Sequence, residues 1–213
     1  EVLLALFARH GEACLPMLNG IFAFGIWDRD EQRLTIARDH LGVKPLYYHW
    51  DGERLLFSSE LKALLTHPIA RELDREALGL YFRLLYVPGA RTMIASVRKL
   101  LPGHVATVQR GEFSIRRFWQ LREGKPFRRY SDAVSAVREG VVKAVSRQLV
   151  SDRPLGVFLS GGVDSSAVLG VMRTLTTGPI KTFTVGYDTS IQPEKYNADA
   201  DLAARTAKSL GCE

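Results

Sequence analysis

The chain is poor in the residues that fasten or anchor secreted and membrane proteins. Only two of its 213 residues are cysteine, Cys14 and Cys212. That is too few for a disulfide framework, and their neighbours offer no metal-ligand spacing. Such cysteine usage suits a reducing compartment, so a cytoplasmic protein is expected. Apolar runs are short; even Gly20 to Trp27 falls far below the length that spans a bilayer. No secretory leader pattern is present, and no membrane partner is expected. The five histidines, His10, His40, His49, His67 and His104, form no metal pair at helical spacing. Internal repeats and low-complexity tracts are missing as well.

What is there reads as globular. Hydrophobic residues make up 46% and charged residues 24% of the chain, a balance that suits one large or two small soluble domains. The net charge of +6 comes largely from Arg110, Arg116, Arg117, Arg122, Lys125, Arg128 and Arg129. These positions lack interleaved aromatics and any nucleic-acid motif, so they read as a solvated connection and no nucleic-acid partner is expected.

Periodicity orders the elements. Val2, Leu3, Leu6 and Phe7 follow helical spacing up to Gly11. Ile21–Trp27 and Leu34–Ala37 predict a hairpin about Asp28–Gln32, and Pro45–Trp50 with Arg54–Phe57 a second about Asp51-Gly52. A short helix is predicted over Leu61–Leu65. Asp74 is the expected cap of a helix with Leu78, Tyr81, Phe82 and Leu85 on its apolar side, ended by Pro88. Val105–Gln109 and Phe113–Trp119 predict a third hairpin about Arg110-Gly111. Composition shifts between Leu121 and Arg129, which places a domain boundary there. Ser131 is then expected to cap a long helix carrying Val134, Val137, Val141, Val145 and Leu149. Strand Leu155–Leu159, a helix from Ala167, strand Ile180–Val185 and helix Tyr196–Leu210 follow. Alternating strands and helices predict a parallel, doubly wound sheet. The chain opens without Met inside a helical pattern and closes where a helix would pass to a strand, so a fragment is expected.

The richest stretch is Phe158-Leu159-Ser160-Gly161-Gly162-Val163-Asp164-Ser165-Ser166. A glycine pair between strand and helix permits a tight bend and close approach of a ligand. The first amides of the following helix have no partner within it and carry the positive end of its dipole. Such a turn suits phosphate, with the Ser160, Ser165 and Ser166 hydroxyls as further donors. No lysine follows the glycines, so this is not a Walker A loop. The order Ser-Gly-Gly-x-Asp-Ser resembles instead the pyrophosphate loop of the ATP pyrophosphatase (N-type) superfamily, which implies cleavage of ATP between its α and β phosphates.

Four earlier segments add to this. They are Leu18–Phe24, Ala37-Arg38-Asp39-His40-Leu41-Gly42 with Val43–Tyr48, Phe57-Ser58-Ser59-Glu60-Leu61-Lys62-Ala63-Leu64, and Arg98-Lys99-Leu100-Leu101-Pro102-Gly103-His104. Together with the loop, the chain resembles the glutamine-hydrolysing asparagine synthetase family over essentially its whole length. Leu101 and Phe158 depart mildly from that pattern, where proline and leucine are usual.

The resemblance implies the C-terminal part of an α+β (αββα, Ntn-type) class II glutamine amidotransferase domain over 1–125. The start of an α/β ATP pyrophosphatase domain with a doubly wound parallel sheet would follow over 126–213. It implies ATP, aspartate and glutamine as small-molecule substrates, β-aspartyl-AMP as intermediate, Mg²⁺ as the metal, and room for a homodimer. By the same resemblance Ser160, Gly161, Gly162, Asp164, Ser165 and Ser166 hold pyrophosphate, Asp164 reaches Mg²⁺, and Phe158 and Val185 lie along the adenine. The glutaminase nucleophile is an N-terminal cysteine in that family. Here Glu1 stands first and Cys14 is internal, so no catalytic residue is expected in this chain and no glutaminase activity from it alone. Arg38 and Asp39 are expected to form a structural ion pair. A related amidotransferase with another carboxylate acceptor (secondary metabolism or polysaccharide biosynthesis) and an inactive nucleotide-binding module remain as alternatives.

Overall fold

A computed structural model describes residues 1–213, the side chain of Pro193 excepted. It divides into two compact units, Glu1–Glu123 and Gly124–Glu213.

The first unit is built from antiparallel pairs. Helix α1 (Val2–His10) runs into a 3₁₀ helix (Gly11–Met17) through Gly11 at φ 55°. Strands β1 (Ala23–Asp28), β2 (Arg33–Arg38), β6 (His104–Gln109) and β7 (Glu112–Arg117) form one sheet in the order β1-β2-β6-β7. Strands β3 (Tyr47–Trp50), β4 (Leu55–Ser58) and β5 (Arg98–Lys99) form a second, ordered β4-β3-β5. All three predicted hairpins are present, in register Phe24↔Ala37, Tyr48↔Phe57 and Val108↔Phe113. In the last, both central residues are left-handed, Arg110 at φ 52° and Gly111 at 81°. That geometry matches the right-handed twist of the flanking strands.

β2 lies inside its sheet, and its Thr35, Ile36 and Ala37 are buried. Ile36 joins Leu46, Leu100 and Ala106 in one apolar cluster, while Ala37 joins Cys14, Leu15 and Val105 in another. Glu12 of the 3₁₀ helix pairs with both Arg33 of β2 and Arg116 of β7. Arg116 thus serves this unit's own packing rather than the free basic stretch that its sequence neighbourhood suggests.

Helices α2 (Leu61–Leu64) and α3 (Arg75–Leu84) complete the unit. Asp74 caps α3 as expected, its Oδ1 accepting from Ala77 N–H at 3.0 Å and its Oδ2 from Arg91 Nη1 at 2.7 Å. Pro88 does not end this helix. It stops earlier because Leu85 turns left-handed, at φ 61°. Tyr81, Phe82 and Leu85, expected on its apolar side, are exposed.

Residues 118–129, across which the second unit begins at Gly124, adopt neither helix nor strand. Helix α4 (Tyr130–Gln148) starts behind Arg129, which makes no side-chain cap bond; Ser131 lies inside the first turn and is not the cap. Only the C-terminal half of its valine stripe is covered. Val145 and Leu149 pack on the core of Val157, Leu159, Leu169, Met172, Ile180, Ala203 and Ala207, while Val134 and Val137 are exposed. Strands β8 (Gly156–Phe158) and β9 (Lys181–Phe183) pair in parallel with Val157 opposite Thr182. Helices α5 (Val163–Leu175) and α6 (Pro193–Ser209) follow them. Glu213 also lies along β9, donating its N–H to Ile180 O at 2.9 Å and accepting from Thr182 N–H at 2.6 Å. Two parallel strands, with α5 between them and α6 after the second, make this unit α/β. No described helix is long and apolar enough to cross a membrane.

Candidate functional site

Arg38 and Asp39 are fully engaged, but not with each other. Arg38 donates from Nε to Lys44 O (2.6 Å), from Nη1 to Leu100 O (2.7 Å) and from Nη2 to Gly42 O (2.7 Å). The buried carboxylate of Asp39 accepts from Leu41 N–H at 3.2 Å, Val43 N–H at 3.0 Å and Lys44 N–H at 3.0 Å. The expected ion pair is therefore replaced by two backbone clamps on one loop, since main-chain groups of residues 41–44 reach both side chains. Burial alone pushes the Asp39 carboxyl up. The amides of Lys44, Val43, Leu41 and Gly42 outweigh it, and the net pKa lies below the ordinary value.

A carboxylate with a depressed folded pKa adds stability above its unfolded value of about 3.9 and loses it as pH falls through the folded value. Asp39→Asn is accordingly expected to cost roughly 2–3 kcal/mol at neutral pH, as three charge-assisted bonds weaken. Urea melts at pH 7 and pH 3 check this; the deficit is expected to shrink at the lower pH.

In the second unit, strand alternation buries Val157 and Leu159 and leaves the ring of Phe158 82% exposed. The chain then bends through Ser160-Gly161-Gly162 into α5. Gly161 sits at φ 73°, and a Cβ there would lie 2.7 Å from Asp199 O and 2.8 Å from Leu202 Cβ. The bend thus rests directly on α6, and only glycine fits. Ser165 fastens it from within. Its hydroxyl accepts from Ser160 N–H at 3.3 Å, lies 3.1 Å from Ser160 Oγ, and donates to Gly162 O at 3.2 Å.

Gly162 precedes the helix in extended conformation, and no side chain caps α5. The first bond of the helix is Ser166 N–H to Gly162 O at 3.1 Å. The amides of Val163, Asp164 and Ser165 are therefore the orphan donors of the helix start, at the positive end of its dipole. Asp164 is exposed in that first turn and has no hydrogen bond or ion pair among the described residues. It does not cap the helix, which leaves a free carboxylate beside open amides.

Val185 belongs to the neighbouring strand exit. Leu159 N–H donates to Phe183 O at 2.9 Å, and Thr184 Oγ1 donates to Leu159 O at 2.8 Å, so the ends of β8 and β9 are stitched together. Phe158, Ser160, Gly161, Gly162, Asp164, Ser165, Ser166 and Val185 consequently share the carboxyl edge of the parallel pair. This is where ligands sit in open α/β sheets. The concavity of about 490 Å³ lined by Thr182, Thr184, Ala203 and Glu213 runs along β9 and leaves out the bend. The bend itself is open surface, suited by its amides to an anion.

Two features had no sequence signal. One is the packing of Asp199 and Leu202 against Gly161. The other is the Asn197 side chain, which accepts from Tyr187 N–H at 2.8 Å and donates to Tyr187 O at 3.0 Å.

An antiparallel α+β unit is thus followed by a unit whose two strands are parallel and whose helix α5 opens with uncapped amides. Residues 1–119 match the family model described as glutamine amidotransferase domain, and residues 136–213 match that described as asparagine synthase. The chain belongs to the glutamine amidotransferase domain family, continued by an asparagine synthase segment. It is 38% identical over 195 residues to asparagine synthetase [glutamine-hydrolyzing] 3 of Bacillus subtilis, covering 88% of this chain and 32% of that protein. Asparagine synthetase [glutamine-hydrolyzing] 1 of the same organism is 35% identical, covering 100% of this chain and 33% of the relative. Amidase chry2 of Gibberella zeae is 31% identical, with 100% and 33% covered. The chain thus spans about a third of the length of these relatives.

Proposed function

We propose that the protein carrying this chain is an ATP-dependent amidotransferase of the asparagine synthase type. Residues 1–125 form the C-terminal part of an αββα, Ntn-type glutaminase domain. Residues 126–213 begin a doubly wound synthetase domain. The observation that carries the reading is the bend at Ser160–Ser166, with uncapped helix amides and an unengaged carboxylate, in a chain that matches both family models.

In the first step an oxygen of the aspartate side-chain carboxylate attacks the α-phosphorus of ATP. The α–β bridge breaks, and pyrophosphate leaves with β-aspartyl-AMP remaining. Negative charge grows on the leaving group. The amides of Val163, Asp164 and Ser165, with the Ser166 hydroxyl and the glycine backbone, take it up without rearrangement. Asp164 fits Mg²⁺ by donor chemistry: a hard, unpaired carboxylate oxygen next to the phosphate position. When bound, Mg²⁺ would offset phosphate charge. Phe158 and Val185 present apolar surface along the base. In the second step ammonia, derived from the glutamine amide, attacks the acyl carbon, AMP leaves, and the amide product forms.

A relative that is not named a synthetase, amidase chry2, matches over the whole chain, and a second reading keeps the adenylation with another carboxylate acceptor. Exchange of labelled pyrophosphate into ATP by the protein carrying this chain separates the two. Aspartate-dependent exchange is expected. Exchange driven only by a different carboxylic acid favours the second reading, and exchange with none overturns both.

A further inference from the structure

Asn197 lies in the first turns of α6, with no direct place at the bend, yet it grips the chain leaving β9. Its amide closes a two-bond ring with both main-chain groups of Tyr187. The hold is reinforced on either side. The Tyr187 and Tyr196 rings meet edge to face at 6.3 Å, and a Cβ on Gly186 would stand 3.4 Å from Asn197 Oδ1. What this grip fixes is Val185. Among the described residues the Val185 N–H and C=O have no hydrogen-bond partner, and its side chain is 74% exposed.

We infer that Asn197 is a positioning residue for the base end of the nucleotide. It holds residues 185–187 so that the unpaired Val185 main chain reads the base. An extended residue offers a C=O acceptor and an N–H donor. Adenine presents an amino donor next to a ring-nitrogen acceptor, which pairs with that order; guanine presents the reverse. The phosphates would lie on the α5 amides at the tip of β8, and the base at the tip of β9, one strand spacing away. Asn197 therefore acts through another residue's backbone, on base affinity and base choice rather than on the phosphoryl step. This rests on the nucleotide reading above.

The test is pyrophosphate exchange kinetics on the full protein with ATP and with GTP. Asn197→Ala is expected to raise KM for ATP about tenfold with kcat within about twofold, as two backbone bonds are lost. The preference for ATP over GTP is expected to fall by a similar factor. Asn197→Asp keeps the acceptor for Tyr187 N–H and loses the donor to Tyr187 O, so an intermediate KM is expected. An unchanged KM in both variants, or a loss confined to kcat, overturns the role. Should Asn197→Ala not fold, Asn197→Asp decides by the same criterion. Asp164→Ala separates this inference from its foundation. Activity retained in that variant refutes the phosphate site, whereas normal ATP affinity in the Asn197 variants, with Asp164→Ala inactive, refutes only the Asn197 role.

Discussion

Asp164→Ala is expected to abolish aspartate-dependent pyrophosphate exchange, by about 10³-fold or more, while leaving the thermal midpoint within a degree or two. The asymmetry follows from the environment of the side chain. Asp164 is exposed and makes no hydrogen bond or ion pair among the described residues, so the fold loses little when it is truncated. A carboxylate that holds a metal against a departing polyphosphate contributes chiefly as charge develops, where removal of one such group typically costs 10²–10³ or more in rate. Parallel melting curves and exchange rates check both halves. Robust exchange in the variant would remove Asp164 from the metal position, and a large fall in stability would assign it a structural task instead.

Gly161→Ala is expected to fail for the opposite reason, through the scaffold. A left-handed backbone costs an alanine about 1 kcal/mol. The new methyl would also press on Asp199 O and Leu202 Cβ at 2.7 and 2.8 Å, so α6 or the bend must shift. A displacement near 1 Å at a positioned phosphate costs about 10²-fold in rate. The variant is expected to lose at least that in exchange, with a midpoint lowered by several degrees. Wild-type exchange would mean that α6 yields freely, and the contact would then carry no positioning role.

Sequence patterns foretold the local elements well, because their causes are local. The Asp51-Gly52 and Arg110-Gly111 pairs demand reversals, and Gly52, Arg110 and Gly111 indeed take positive φ. Alternation in Leu155–Leu159 sorts Val157 inward from Phe158. The errors arise where tertiary context decides. Arg38 and Asp39 are adjacent and opposite in charge, yet a loop several residues away offers each a denser set of backbone partners. Ser131 is a good cap by type, but the chain is already helical from Tyr130. The apolar side of α3 was legible as periodicity, whereas its exposure was not, since periodicity says nothing of what covers a face. At the site, the Ser-Gly-Gly order named the bend. Asn197 is ordinary in sequence, and its grip on Tyr187 comes only from where α6 brings it.

The knot made by Ser165 has one more consequence. Its lone proton goes to Gly162 O, and its lone pairs meet Ser160 from two directions. The shape of the bend is therefore cast within the chain itself: a rigid mould, not a glove that closes on the hand. Ser165→Ala would keep every glycine and every amide in the sequence and still let the cast soften. On the proposed nucleotide reading, that variant would pass to the polyphosphate the cost of ordering that the native fold has already met.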